Sequence, residues 1–176
     1  MRQSKRSRIL EAAMRVIERD GVTAVTFEAV AAEAELTKGG LLYHFPSKEA
    51  LLDALHEDLV TRWERAMLDD LGKPAADASD AERRAAYIRV AAQASTRAEL
   101  ALMIDAAGRS ERNAPWADVV DRWSPTPAEP DDAALDHLVA RFAADGMWQN
   151  DSMGGAPLDP ELRRRLLDRI IALTST

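Results

Sequence analysis

Apolar positions recur every three or four residues along the chain, and no segment shows a convincing period of two, the mark of a half-buried strand. The pattern predicts an all-α protein. Ile9, Ala12, Ala13, Val16 and Ile17 share one face of a helix over 4–19 that Gly21 ends. Leu51, Leu55, Leu59, Trp63 and Met67, four apart, form the stripe of a long helix from 47 to about 71, stopped by Gly72 and Pro74. Further helices are expected at about 79–94, 97–107, 114–123, 131–149 and 159–174, with all eight prolines at helix starts or between helices. Asp159 before Pro160 is a cap followed by a proline in the first turn.

Residues 26–48, TFEAVAAEAELTKGGLLYHFPSK, carry the same periodicity in shorter pieces. Phe27, Val30 and Ala31 lie on one helix face, Leu36 follows in a turn, and Leu41 and Phe45 repeat four apart. This is a helix-turn-helix. Thr26 and Thr37 each precede a helical segment, where a hydroxyl caps orphan amides and the helix N-terminus attracts a phosphate. The second helix opens Lys38-Gly39-Gly40 although each glycine costs about 0.5 to 1 kcal/mol relative to alanine. Without Cβ atoms the backbone can approach a major groove closely, and Tyr43, His44 and Lys48 supply phosphate donors at the far end. Taken singly these residues fit an ordinary loop-to-helix junction; in combination Thr26, Thr37, Lys38, Gly39, Gly40, Tyr43, His44 and Lys48 are candidate contacts to duplex DNA.

Thr26, Val30, Ala31, Ala34, Leu36, Thr37, Gly39, Leu41, His44, Phe45, Ser47, Lys48, Glu49 and Leu51 together resemble the DNA-binding motif of the TetR family of bacterial repressors. The family's common tyrosine position is held by Leu42, with Tyr43 one residue later, so which of the two faces the phosphate stays open. The resemblance covers roughly the first 55 residues. It implies a helix-turn-helix domain over 1–48 and a helical ligand-binding and dimerisation domain over 49–176, without a catalytic site, cofactor or metal. It also implies a homodimer on a palindromic operator, joined through its last two helices, with recognition helices about 34 to 36 Å apart. Leu135, Leu138, Val139, Phe142 and Ala143, and then Leu162, Leu166, Leu167, Ile170, Ile171 and Leu173, are the stripes those helices offer, to their own core or to a second copy.

Charge sharpens the division. The formal net charge of the 176 residues is −7. Residues 1–48 hold eight Lys/Arg against six Asp/Glu, +2, which leaves fifteen against twenty-four, −9, for the rest. Arg2, Lys5, Arg6 and Arg8 read as a basic arm suited to phosphate or minor-groove contact, or as a solvated tail. The acidic body repels DNA, so the molecule is expected to approach head first, and the body is free to attract a cation. No run of 18 apolar residues occurs and no signal-peptide pattern follows Met1, so a cytoplasmic protein without a membrane span is expected. Zero cysteines exclude disulfides, thiolate metal sites and a cysteine nucleophile.

All four tryptophans, Trp63, Trp116, Trp123 and Trp148, lie outside the head with polar or charged neighbours. Such rings fill a core or line a ligand cavity. Asp105 follows the apolar run 100–104, and Asp145 precedes Gly146, Met147 and Trp148. A carboxylate beside aromatic faces holds a lipophilic cation by charge and by cation–π attraction of about 0.5 to 2 kcal/mol per ring. The body resembles, less specifically than the head, the multidrug-responsive TetR repressors that control efflux pumps, in 99–106, 113–123 and 143–148. That resemblance nominates Trp63, Leu100, Met103, Trp116, Trp123 and Trp148 as contacts to a hydrophobic cation and Asp105 or Asp145 as its counter-charge. Trp63 lies 15 residues beyond Lys48, about 22 Å of helix, so a ligand that tilts this rod changes the spacing of the heads.

His44, His56 and His137 stand in no recognisable metal or triad motif, and His56-Glu57-Asp58 reads as a solvated helix face. An enzyme is not expected. The competing readings are a DNA-binding scaffold that recruits a protein partner and a repressor induced by a neutral or anionic metabolite.

Overall fold

In the computed structural model, which describes residues 4–93, 95–128 and 131–174, the ends of the helices follow from side chains within four residues of them. The Ser4 hydroxyl accepts the Ser7 amide and opens α1, Lys5–Asp20. Gly21, at φ +84°, closes it by donating its amide to the Ile17 carbonyl. Thr26 caps α2, Phe27–Glu33, and Thr37 caps α3, Lys38–His44. The continuous α4, Lys48–Leu71, ends at Gly72, φ +69°. Reciprocal capping boxes, Ser79 with Glu82 and Thr96 with Glu99, open α5, Asp80–Ala91, and α6, Arg97–Ala107. Then come α7, Ser110–Trp123, α8, Asp132–Ser152, capped by Asp131, and α9, Pro160–Ala172, capped by Asp159 with Pro160 in its first turn. Single 3₁₀ turns occur at Val22–Ala24 and Ala75–Asp77. The expected all-α class is observed, and the described residues contain no strand.

Two compact units are present. The first comprises the described residues of Met1–Leu59 with Thr96–Asn113. It holds α1 to α3, the start of α4, α6 and the first turn of α7. Ile9, Ala12, Ala13, Val16 and Ile17 on α1 are fully buried with Val25, Val30, Leu41 and Leu55. The Glu18 carboxylate accepts the Ala98 amide at 2.7 Å, placing a negative charge at the N-terminus of α6. The second unit comprises Val60–Ser95 and the described residues of Ala114–Thr176. Met67, Ala86, Ile88, Val119, Trp123, Ala140 and Ala144 form its interior, and Arg89–Asp70 and Arg163–Asp151 ion pairs, each 2.7 Å, tie its helices.

One proline departs from expectation. Pro115 lies inside α7, because that helix begins at Ser110 rather than at 114. Pro115 offers no amide to the carbonyl four residues back, on Glu111, but that residue is exposed, so water can take the place of the missing donor.

Candidate functional site

Thr26 Oγ1 accepts the Ala29 amide and Thr37 Oγ1 the Gly40 amide, each at 3.1 Å, and both threonines are exposed. A Cβ on Gly39 would meet nothing within 4 Å, so packing inside the head does not require a glycine there. A Cβ on Gly40 would stand 3.2 Å from the capping Thr37 hydroxyl oxygen, which accounts for that glycine in part. Tyr43 is 86% exposed against 38% for Leu42, and its ring meets His44 edge-on at 5.2 Å. Lys38 Nζ lies 2.5 Å from Glu28 Oε1, and Lys48 Nζ donates to the Thr23 carbonyl at 3.4 Å. Both cations are therefore held at the surface by weak, solvent-screened partners.

Half of the basic arm is structural. Lys5, Arg6 and Arg8 lie within α1, and Arg2 lies outside the described residues. Arg8 Nη2 donates at 2.9 Å to the carbonyl of Ala34, the residue that ends α2, and the Arg6 guanidinium sits 5.5 Å over the Phe45 ring.

In the second unit the rings gather around Trp63 of α4. Trp116 of α7 meets it edge-on at 5.0 Å, Trp148 of α8 at 6.0 Å, and Tyr87 of α5 stands 6.5 Å away. Tyr87 Oη donates to Asp145 Oδ1 at 2.8 Å. Burial pushes the Asp145 carboxyl above the usual carboxylate range, against the opposing pull of the Tyr87 hydrogen bond and of Arg141. Burial and then the Asp145 charge raise the Tyr87 phenol, which stays a donor. Among the described residues Asp145 has no ion pair, and the buried Trp148 Nε1 has no acceptor.

Trp123 and the α6 candidates make no ring contact with this cluster among the described residues. Trp123 is 1% exposed and directs Nε1 toward Glu64 Oε1 at 3.5 Å, a core position. Leu100, Met103 and Asp105 are half-buried on α6, in the first unit. Asp105 Oδ2 accepts Arg112 Nη1 at 3.0 Å, so it already has a cationic partner, shared with Asp53. His56 does not face solvent as expected: it is buried, with Nε2 3.6 Å from Asp105 Oδ2, and burial lowers its proton affinity. Tyr87 is the member of the ring cluster that sequence reasoning missed; its place in Ala86-Tyr87-Ile88, a phenol in an apolar helix face, was the available signal.

Helical throughout its described residues, with a capped helix-turn-helix in one unit, the protein has the architecture of a DNA-binding transcription regulator. The family model described as bacterial regulatory proteins, tetR family, matches residues 9–55, and that described as tetracyclin repressor-like, C-terminal domain, matches 81–175. The chain belongs to the TetR family of transcriptional regulators, which are non-enzymatic DNA-binding proteins. No curated protein matches it. Among solved structures it is similar to a TetR-family regulator from Rhodococcus sp. (TM-score 0.73, 18% identity, 99% of this chain and 100% of that one). It is also similar to a transcriptional regulator from Saccharomonospora viridis in complex with choline (0.70, 23%, 95% of each chain). A third likeness is to a TetR-family regulator from Vibrio parahaemolyticus (0.66, 18%, 97% and 98%). At these identities the likeness shows the fold. No helix of the described residues is long and apolar enough to cross a membrane.

Proposed function

We propose that this chain is a ligand-responsive repressor that binds a palindromic operator as a homodimer and is released by a hydrophobic cation. The observation that carries the effector reading is Asp145: a half-buried carboxylate that makes no ion pair among the described residues, Arg141 acting on it only from beyond contact distance, and that is bonded to the tyrosine beside Trp63. The choline bound by the Saccharomonospora viridis regulator supports the same charge class. Of the two candidate counter-charges Asp145 is favoured, since Asp105 already pairs with Arg112.

Dimerisation is supported by α8 and α9. Leu135, Val139 and Phe142 recur on one exposed face of α8, with Phe142 60% exposed, and Leu162 and Leu166 recur on an exposed face of α9. DNA contact is assigned to Thr26, Thr37, Gly39, Gly40, Tyr43 and His44, with Lys38 and Lys48 exchanging their surface partners for phosphates. Release works through α4, one helix that carries both Lys48 and Trp63. A cation that shifts Trp63 changes the pose of the head, and a 100-fold loss of operator affinity requires about 2.7 kcal/mol of preference for the non-binding state. Control of an efflux transporter gene is the role that the multidrug resemblance suggests.

The test is fluorescence polarisation of labelled DNA from upstream of the protein's own gene, with and without tetraphenylphosphonium. Saturable binding that the cation reverses is expected. Binding indifferent to every cation would overturn the effector reading, and a monomer at micromolar concentration in sedimentation would overturn the dimer.

A further inference from the structure

We propose that the ring cluster of the second unit seats a compact quaternary ammonium group with an oxygen acceptor close by, in preference to a primary ammonium of the same size. This deepens, and rests on, the cation-sensing reading above. Three indoles and one phenol make up the cluster, so what it offers is π-faces and N–H or O–H donors. A primary ammonium must find acceptors for three N–H bonds when it leaves water. Few are at hand: Asp145 Oδ1 already accepts the Tyr87 hydroxyl, which leaves chiefly Oδ2 of that carboxylate, and the Trp148 carbonyl already accepts Ser95 Oγ at 2.8 Å and Ser152 Oγ at 2.9 Å. A quaternary ammonium carries no N–H and needs only aromatic faces and a nearby negative charge.

Trp148 also carries an orphan donor. Trp148 is 6% exposed, and its Nε1 has no acceptor in the described residues, an arrangement costly enough that native interiors rarely keep it. Asp145 and Trp148 are three residues apart on α8, so the carboxylate and the indole project from one helix face. A ligand with its cationic head toward Asp145 and an oxygen a few bonds away satisfies both at once. The 5.0 Å edge contact of Trp63 with Trp116 leaves no room for a methylated head between them, so Trp116, the half-buried ring, moves aside as the ligand seats. Tryptophan emission reports that movement.

The experiment titrates the full chain with choline, tetramethylammonium, ethanolamine and tetraphenylphosphonium, followed by tryptophan fluorescence and calorimetry. Choline is expected to bind at least tenfold more tightly than ethanolamine and several-fold more tightly than tetramethylammonium, which lacks the oxygen. Trp148→Phe, which keeps a ring but loses the N–H, is expected to erase the choline advantage over tetramethylammonium; circular dichroism checks its fold. Asp145→Asn is expected to lose at least tenfold in choline affinity. Ethanolamine binding as tightly as choline overturns the inference, as does choline silence beside a tetraphenylphosphonium response, and in both cases the cation-sensing reading stands. If no cation binds or releases DNA, that reading fails and the inference with it.

Discussion

Arg112 Nε lies 2.6 Å from Asp53 Oδ1, joining the first turn of α7 to α4, while its Nη1 donates to Asp105 of α6. The arginine is 8% exposed and the Asp53 carboxylate is largely solvated, so the two ends of the pair differ in what their loss costs. Arg112→Ala is expected to destabilise the protein by about 1 to 2 kcal/mol, because it leaves the half-buried Asp105 with only the His56 imidazole, whose proton affinity burial lowers, beside it. Asp53→Ala is expected to cost under about 1 kcal/mol. Urea unfolding of both variants checks this; equal losses would show that the Asp105 contact adds nothing.

His56 makes stability pH-dependent. Burial lowers its proton affinity and outweighs the Asp105 carboxylate, so the unfolded chain takes up the proton more readily than the folded one. Stability is therefore present above the unfolded pKa of about 6.5 and is lost below it, as pH falls through the lower folded value. His137, lowered by burial and then by Arg84, acts in the same direction. His56→Gln is expected to make the fall in melting temperature between pH 7.5 and 5.5 shallower. An unchanged slope would assign the whole loss to His137.

Asp145 has the opposite sign. Its folded pKa is raised, so the folded state holds the proton more tightly, and the cost of the charged form grows as pH rises from the unfolded value through the folded one. Asp145→Asn removes that cost and keeps an oxygen for the Tyr87 hydroxyl, so a higher melting temperature is expected at pH 7.5 together with loss of the cation response. A melting temperature lowered at pH 7.5 would show that the carboxylate stabilises the unliganded protein.

Gly39 separates stability from DNA contact. Since a Cβ there meets nothing within 4 Å, Gly39→Ala is expected to stabilise α3 by about 0.5 to 1 kcal/mol while it weakens operator binding. Operator affinity at or above that of the parent would remove close backbone approach at this position.

Lys48→Ala is expected to weaken binding to all DNA sequences and to flatten the salt dependence by about one unit of log–log slope for each phosphate that the variant no longer neutralises. Polarisation titrations between 50 and 200 mM salt, about a thousandfold span for a many-contact binder, give that slope directly. A slope equal to the parent's would leave Lys48 as the partner of the Thr23 carbonyl alone.

The helices and the helix-turn-helix were legible in the residues because their causes are local. The Thr26 and Thr37 hydroxyls meet amides three residues away, Gly21 and Gly72 end helices through their own φ, and Ile9 to Ile17 bury one face by periodicity alone. Pro115 was misplaced because its boundary depends on where α7 begins, upstream at Ser110, and not on the proline itself. The effector candidates depended on contacts between residues far apart in the chain. Trp116 and Trp123 sit on the same helix, yet one joins Trp63 and the other enters the core beside Glu64. Asp105 and Asp145 look alike beside their apolar neighbours, but Arg112 matches the first and Tyr87 bonds the second. Sequence alone thus determined the helices, the family and the segregation of charge, which are set by near neighbours and by composition. Tertiary packing decided which ring is cluster and which is core, and which carboxylate lacks a cation, because burial and pairing are fixed only when α4, α5, α7 and α8 bring residues 63, 87, 116, 145 and 148 together.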